Sequence, residues 1–112
     1  MHELGLAQEI VEQVSARAQG ARVVRVVLEI GKLAAVLPDA LRFCFDLAAQ
    51  ETPVEGASLV IIETPGLARC RACGGDVPLD RPFGRCACSS TDLEWLSGEE
   101  LIIKEFEVDR CA

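Results

Sequence analysis

Apolar residues recur at helical spacing from Leu4 to Gln19. Ala7, Val11, Val14 and Ala18 follow steps of three and four with Ile10 beside them, while Glu9, Glu12, Gln13 and Arg17 fall elsewhere. An amphipathic helix is predicted, and Gly20 is placed to end it because glycine turns left-handed without strain. The period then changes to two. From Arg22 to Ile30, Val24, Val26, Leu28 and Ile30 share one face and Arg25 and Glu29 the other, which predicts a half-buried strand. Gly31–Leu37 reads as a connection. Pro38 opens a second helix, where its missing N–H is no loss, and Asp39 suits the positive helix start. Leu41, Cys44, Phe45 and Ala48 form its apolar stripe. Thr52–Gly56 breaks the pattern, Ser58–Glu63 predicts a second strand, and Glu99–Val108 a third. No repeat or low-complexity segment interrupts the series.

Between the last two strands lies a stretch, residues 67–93, with no long apolar run. It holds Arg69, Arg71, Arg81 and Arg85 against Asp76, Asp80 and Asp92, whereas both flanks are acidic. Such a stretch cannot build its own core and needs a staple. The elements therefore predict an α+β fold: two helices packed on a three-stranded sheet, residues 1–66 and 94–112, with residues 67–93 inserted as an arm.

Composition narrows the function classes. With 112 residues, half of them hydrophobic, the chain suits one ordinary domain with a small appendage and excludes wholesale disorder. No apolar run reaches the roughly 18 residues of a membrane span, and no basic-then-apolar leader opens the chain. A cytoplasmic protein with no membrane role is expected. A net charge of −7, no tyrosine and a single Trp argue against nucleic-acid binding and favour a cation or a basic partner. No phosphate-loop motif is present, so nucleotide hydrolysis is not expected.

Six cysteines without a secretion signal point to metal or redox chemistry before disulfides. Cys70 and Cys73 form a Cys-x-x-Cys pair; twelve residues later come Cys86 and Cys88. Two close pairs joined by a hairpin-length spacer suit a tetrahedral four-thiolate zinc site, with Gly74 fitting the first turn. Cys-x-x-Cys alone is also a redox motif. The second pair is one residue short. Either Cys88 still ligates with altered geometry, the favoured reading, or another ligand replaces it. A closed four-thiolate site is structural and leaves no position for catalytic water.

The other chemistry sits at the start of the chain. A free α-amine, the deprotonated amide of residue two and the imidazole of His2 form fused chelate rings of the kind Ni²⁺ or Cu²⁺ prefers. The amine would belong to Met1, and Glu3 adds a backbone nitrogen or a carboxylate.

Here the pieces resemble a known family. Met1-His2-Glu3, the helix, a strand ending in Glu29-Ile30-Gly31, the helix Ala40–Phe45, the cysteine arm and the tail Ile102–Val108 are similar to HypA/HybF proteins, nickel metallochaperones of NiFe-hydrogenase maturation. The resemblance spans essentially the whole chain. It implies an α/β nickel-binding domain with a zinc ribbon inserted before the last strand. It implies nickel ligands at Met1, His2 and Glu3, zinc ligands at Cys70, Cys73, Cys86 and Cys88, and departs from the family at Cys86-Ala-Cys88, where Cys-x-x-Cys is usual. Ni(II) would then be transferred cargo and Zn(II) structural. The implied partners are a HypB-type GTPase and the hydrogenase large subunit, with the chain a monomer or weak homodimer. The expected activity is transfer rather than catalysis, so no enzyme is expected.

Two rivals are a zinc-ribbon adaptor of the transcription or translation type, which ignores Met1-His2-Glu3, and a dithiol oxidoreductase using Cys70 and Cys73. Cys44 is expected in the core, Cys111 as a free thiol near the end, and Trp95 as a packing anchor. Asp39 is read as a helix-start residue, and Glu99-Glu100 with Glu105 and Glu107 as a solvated acidic face.

Overall fold

The computed structural model describes residues 2–109, and both Met1 and Cys111 lie outside that range. In order it contains helix α1 (His2–Ala18), strand β1 (Arg22–Gly31), a 3-10 turn (Lys32–Ala34), helix α2 (Pro38–Ala49), and strands β2 (Ser58–Thr64), β3 (Gly66–Cys70), β4 (Asp76–Leu79), β5 (Leu93–Ser97) and β6 (Leu101–Asp109). The strands form two three-stranded sheets, ordered β2-β1-β6 and β4-β3-β5. Two helices and two small sheets make an α+β fold; the hydrophobic periods predict the helices and the β2-β1-β6 strands, and the second sheet lies in the arm, where no period predicts it. No helix among the described residues is long and apolar enough to cross a membrane.

The chain divides into two compact units. The first comprises Met1–Leu28, Val36–Ile61 and Ile103–Ala112, and the second Glu29–Ala35 and Ile62–Ile102. The compositional arm, residues 67–93, lies wholly within the second unit, which continues past it on both sides.

In the first unit α1 packs against α2. Ala7, Ile10, Val11, Val14 and Ala18 are buried on one helix and Leu41, Phe45 and Ala49 on the other. Removing a side chain such as Phe45 from water contributes roughly 1.5–3 kcal/mol. α1 ends as the chain turns left-handed at Gln19 (φ 52) and Gly20 (φ 85), with the Ala21 N–H donating to Ala18 O at 3.0 Å. α2 starts at Pro38, the first helical position, behind an extended Leu37. Cys44, expected in the core, is only half-buried, because the buried face runs through Leu41, Phe45 and Ala49, each four residues apart. The strand β1 departs from strict alternation too. Val26, Leu28 and Ile30 are buried, but so are Val23 and Val27, while Val24 is 40% exposed. β1 is the central strand of its sheet, so both of its faces are available for burial. The acidic residues Glu105 and Glu107 are not simply solvated: Arg25 bonds them at 3.5 and 2.7 Å.

The second unit has a small core, to which the arm and Leu33 both contribute. Leu33, Ala68, Cys70, Val77, Leu79 and Cys86 are buried together, with Leu93 against them. Leu33 comes from outside the arm and is seated on bare backbone: a Cβ on Gly66 would stand 2.5 Å from Leu33 Cγ. The segment is fixed by Gly31 N–H to Glu100 O and Leu33 N–H to Gly98 O, both at 2.8 Å. β3 pairs antiparallel with β4 through Gly66↔Leu79 to Arg69↔Asp76, and with β5 through Ala68↔Trp95 to Cys70↔Leu93. Trp95 is 37% exposed, so it packs only in part.

Candidate functional site

The four clustered cysteines converge. Cys70 ends β3, Cys73 lies in the turn before β4, and Cys86 and Cys88 come from the loop between β4 and β5. Their four Sγ atoms lie within 4.8 Å of one another, with Cys70–Cys88 and Cys73–Cys86 each at 3.6 Å. Sulfurs about 2.3 Å from one zinc stand about 3.8 Å apart on the edges of a tetrahedron, so the donor set fits one closed four-thiolate site. Cys88, left open by the spacing, stands with the other three.

Backbone hydrogen bonds explain how a shortened pair still converges. In the first turn Gly74 N–H donates to Cys70 O and Cys70 N–H donates to Gly75 O, both at 2.8 Å, with Gly74 left-handed at φ 80. The second turn repeats this with one residue deleted. Ser89 N–H donates to Cys86 O at 2.8 Å, Cys86 N–H to Ser90 O at 2.9 Å, and Ser89 is left-handed at φ 78. In both turns the second cysteine immediately precedes the left-handed residue. The deletion falls between the cysteines and leaves that relation intact.

The thiols are tuned unequally. Amide N–H groups of Cys73 and then Ala72 are directed at the Cys70 sulfur and outweigh burial, drawing its thiol down to about 6. At Cys88 the Ser90 amide favours the thiolate, but the Cys70 and Cys86 sulfurs and burial prevail, and the group is pushed up to about 11. Cys73 also shifts upward: the Gly75 amide opposes the rise, and the Cys86 and Cys70 sulfurs drive it. A thiolate is thus ready at Cys70, and an arriving divalent cation displaces protons from its neighbours.

At the other candidate site, His2 opens α1 and Glu3 follows it. His2 Nε2 lies 3.3 Å from Glu3 Oε2, with the imidazole side chain 54% exposed. The same carboxylate oxygen accepts the Leu37 N–H at 3.3 Å, and this bond is the main reason that the Glu3 carboxyl lies below its ordinary range. Leu37 has an N–H to give because it precedes α2: its carbonyl takes the first helical bond, from Leu41 N–H at 2.9 Å. The signal in the sequence that points to Leu37 is Pro38 at a helix start, which makes the preceding residue the cap. The expected amine donor, Met1, lies outside the described residues. Asp39 sits in the first turn of α2 as expected.

An α+β protein with a His–Glu pair opening its first helix and a four-cysteine unit of zinc-ribbon type belongs to the class of small metal-handling proteins. A family model described as "Hydrogenase/urease nickel incorporation, metallochaperone, hypA" matches residues 1–108. The chain is 58% identical over 109 residues to the hydrogenase maturation factor HypA of Nostoc punctiforme, covering 97% of this chain and 96% of that one. It is 44% identical over 110 residues to the factor of the same name from Geobacter metallireducens, covering 97% and 100%. In fold it is similar to the solution structure of the Ni metallochaperone HypA from Helicobacter pylori, with a TM-score of 0.62 at 22% identity over 96% of this chain and 97% of that one. The chain belongs to the HypA family of nickel-incorporation metallochaperones of hydrogenase maturation.

Proposed function

We propose that this chain binds Ni(II) through Met1, His2 and Glu3 and delivers it for NiFe-hydrogenase maturation. The observation that carries the reading is the Glu3 carboxylate, held by the Leu37 amide and lying 3.3 Å from the His2 imidazole. The helix start supports it as well, since the first amides of α1 have no intrahelical acceptor. A nitrogen-rich, exposed site suits Ni²⁺ and leaves room for ligand exchange, which a carrier needs. The chemistry is transfer, not catalysis.

Cys70, Cys73, Cys86 and Cys88 hold Zn(II) as a structural ion, a reading supported by the tetrahedral fit of their sulfurs. Residues 67–93 with their flanks act as the zinc-binding part, and the helical body as the nickel-binding part. A HypB-type GTPase supplies or releases the metal and the hydrogenase large subunit receives it.

Nickel titration of the untagged protein tests this beside His2→Ala and a variant with one residue added before Met1. Both changes are expected to remove the primary nickel site while about one zinc per chain is retained. Unchanged nickel stoichiometry and affinity in either variant would refute the N-terminal assignment.

A further inference from the structure

Helix α2 carries a second apolar face, opposite the buried one. Phe43 and Leu47 stand one turn apart at 66% and 47% exposure, and Leu37, at the start of the helix, is 66% exposed. Asp39 and Asp46 flank this ridge, both exposed, and neither forms an ion pair among the described residues. Arg42, one turn from Asp46, donates instead to Leu59 O.

Beyond Leu47 the surface opens into a cavity of about 560 Å³, formed by α1, the end of α2 and the turn that follows; Glu12, Ser15, Ala48 and Glu51 are among its lining residues. A cationic side chain entering the cavity meets the Glu12 and Glu51 carboxylates that line it.

We propose that this surface docks a basic, amphipathic segment of the protein that receives the nickel, its large apolar side chains on Phe43 and Leu47 and a Lys or Arg in the cavity. The argument for a basic occupant is charge complementarity: the exposed carboxylates of Glu12, Asp39, Asp46 and Glu51 outnumber the one cation of α2, Arg42, whose guanidinium is turned to Leu59 O. A second copy related by two-fold symmetry sets these carboxylates against each other and is disfavoured. The argument for the recipient is position. Leu37 starts the ridge with its side chain, and its N–H holds Glu3. A partner that grips Leu37 therefore acts on the backbone that positions a nickel ligand. This last step rests on the N-terminal nickel reading.

Affinity for the cognate nickel-free large-subunit precursor, measured by calorimetry, tests the proposal with Phe43→Ser/Leu47→Ser and Glu12→Lys/Glu51→Lys. Each pair is expected to weaken binding by about tenfold or more, and binding by the unaltered chain to weaken with added salt. Unaltered helical circular dichroism shows that the variants fold, since all four side chains are exposed. Nickel titration stays normal in the Phe43/Leu47 variant. No binding by the unaltered chain, or full binding by both variants, overturns the proposal. A loss confined to the HypB-type GTPase, or to self-association in sedimentation, assigns the face to another occupant and also overturns it. Failure of His2→Ala to alter nickel binding is a separate result, which removes the nickel reading and leaves the docking measurement standing.

Discussion

Ser89 occupies the conformation that glycine fills in the companion turn. At φ 78 its Cβ crowds the following carbonyl, whereas Gly74 at φ 80 has no Cβ to crowd. Ser89→Gly relieves this contact and keeps the N–H that bonds Cys86 O. We expect it to stabilise the second unit by about 1 kcal/mol and to leave zinc stoichiometry unchanged. A thermal melt of the zinc-loaded protein checks the gain; an unaltered or lowered midpoint would show that the turn is not strained. A second residue-scale prediction concerns Glu100. Its carboxylate accepts the Gly98 N–H at 2.6 Å and the Glu99 N–H at 3.1 Å, and the Gly98 bond chiefly holds its carboxyl below the ordinary range. A depressed folded-state pKa contributes stability above the unfolded value of about 4.3, and that contribution fades as pH falls through the folded value. Glu100→Gln is therefore expected to lower stability at pH 7, with the gap from the unaltered chain closing below about pH 4. Denaturant titrations at several pH values read this directly, and a gap independent of pH would contradict it.

At the scale of elements, legibility followed length and period. α1, β1, α2, β2 and β6 lie within a few residues of their predicted limits because each repeats its apolar pattern over seven or more residues. β3, β4 and β5 have five, four and five residues, too few to declare a period, and Pro78 sits inside β4. Their pairing is set by the sulfur cluster and a borrowed side chain. Leu33 was the residue hidden from sequence reasoning, since it falls in a connection with no periodic neighbour, yet it is 3% exposed among Ala68, Val77 and Leu79. Truncating it should leave a cavity in a core of only six residues. Leu33→Ala is expected to destabilise the second unit by about 2–5 kcal/mol. Gly31→Ala probes the same junction by overpacking, because its Cβ would run into Gly98 O, and is expected to be destabilising by about 1–3 kcal/mol. Amide exchange at Ala68 and Val77 measures both effects, and native-like protection in Leu33→Ala would show that the unit does not depend on Leu33. At the cysteine site the four residues were legible from spacing, but the reason Cys-x-Cys suffices lies in backbone hydrogen bonds that no spacing displays.

Across the whole molecule, the two units differ in what holds them folded. The first buries eight residues on its two helices, with Val54 and Leu59 among the further core positions. The second is built on a cluster of six buried residues, of which Cys70 and Cys86 are themselves sulfur donors. Without an ion, four thiols crowd within 4.8 Å, and Cys70, drawn down to about 6, places a negative charge beside them. A structural metal displaces the remaining thiol protons and ties the four sulfurs together at the centre of the unit, so binding and folding free energy are coupled there. Chelation at neutral pH is accordingly expected to act on one unit. Exchange protection at Ala68, Val77 and Leu79 should collapse, whereas amides in the middle of α1 and α2 should keep theirs. Cys70→Ser should reproduce the pattern without chelator, because it removes a donor and leaves a hydroxyl in a buried position. Simultaneous loss of protection in α1 and α2 at the same chelator concentration would show a single cooperative unit. Retention at Val77 after complete metal removal would show that six buried residues hold the unit without the ion.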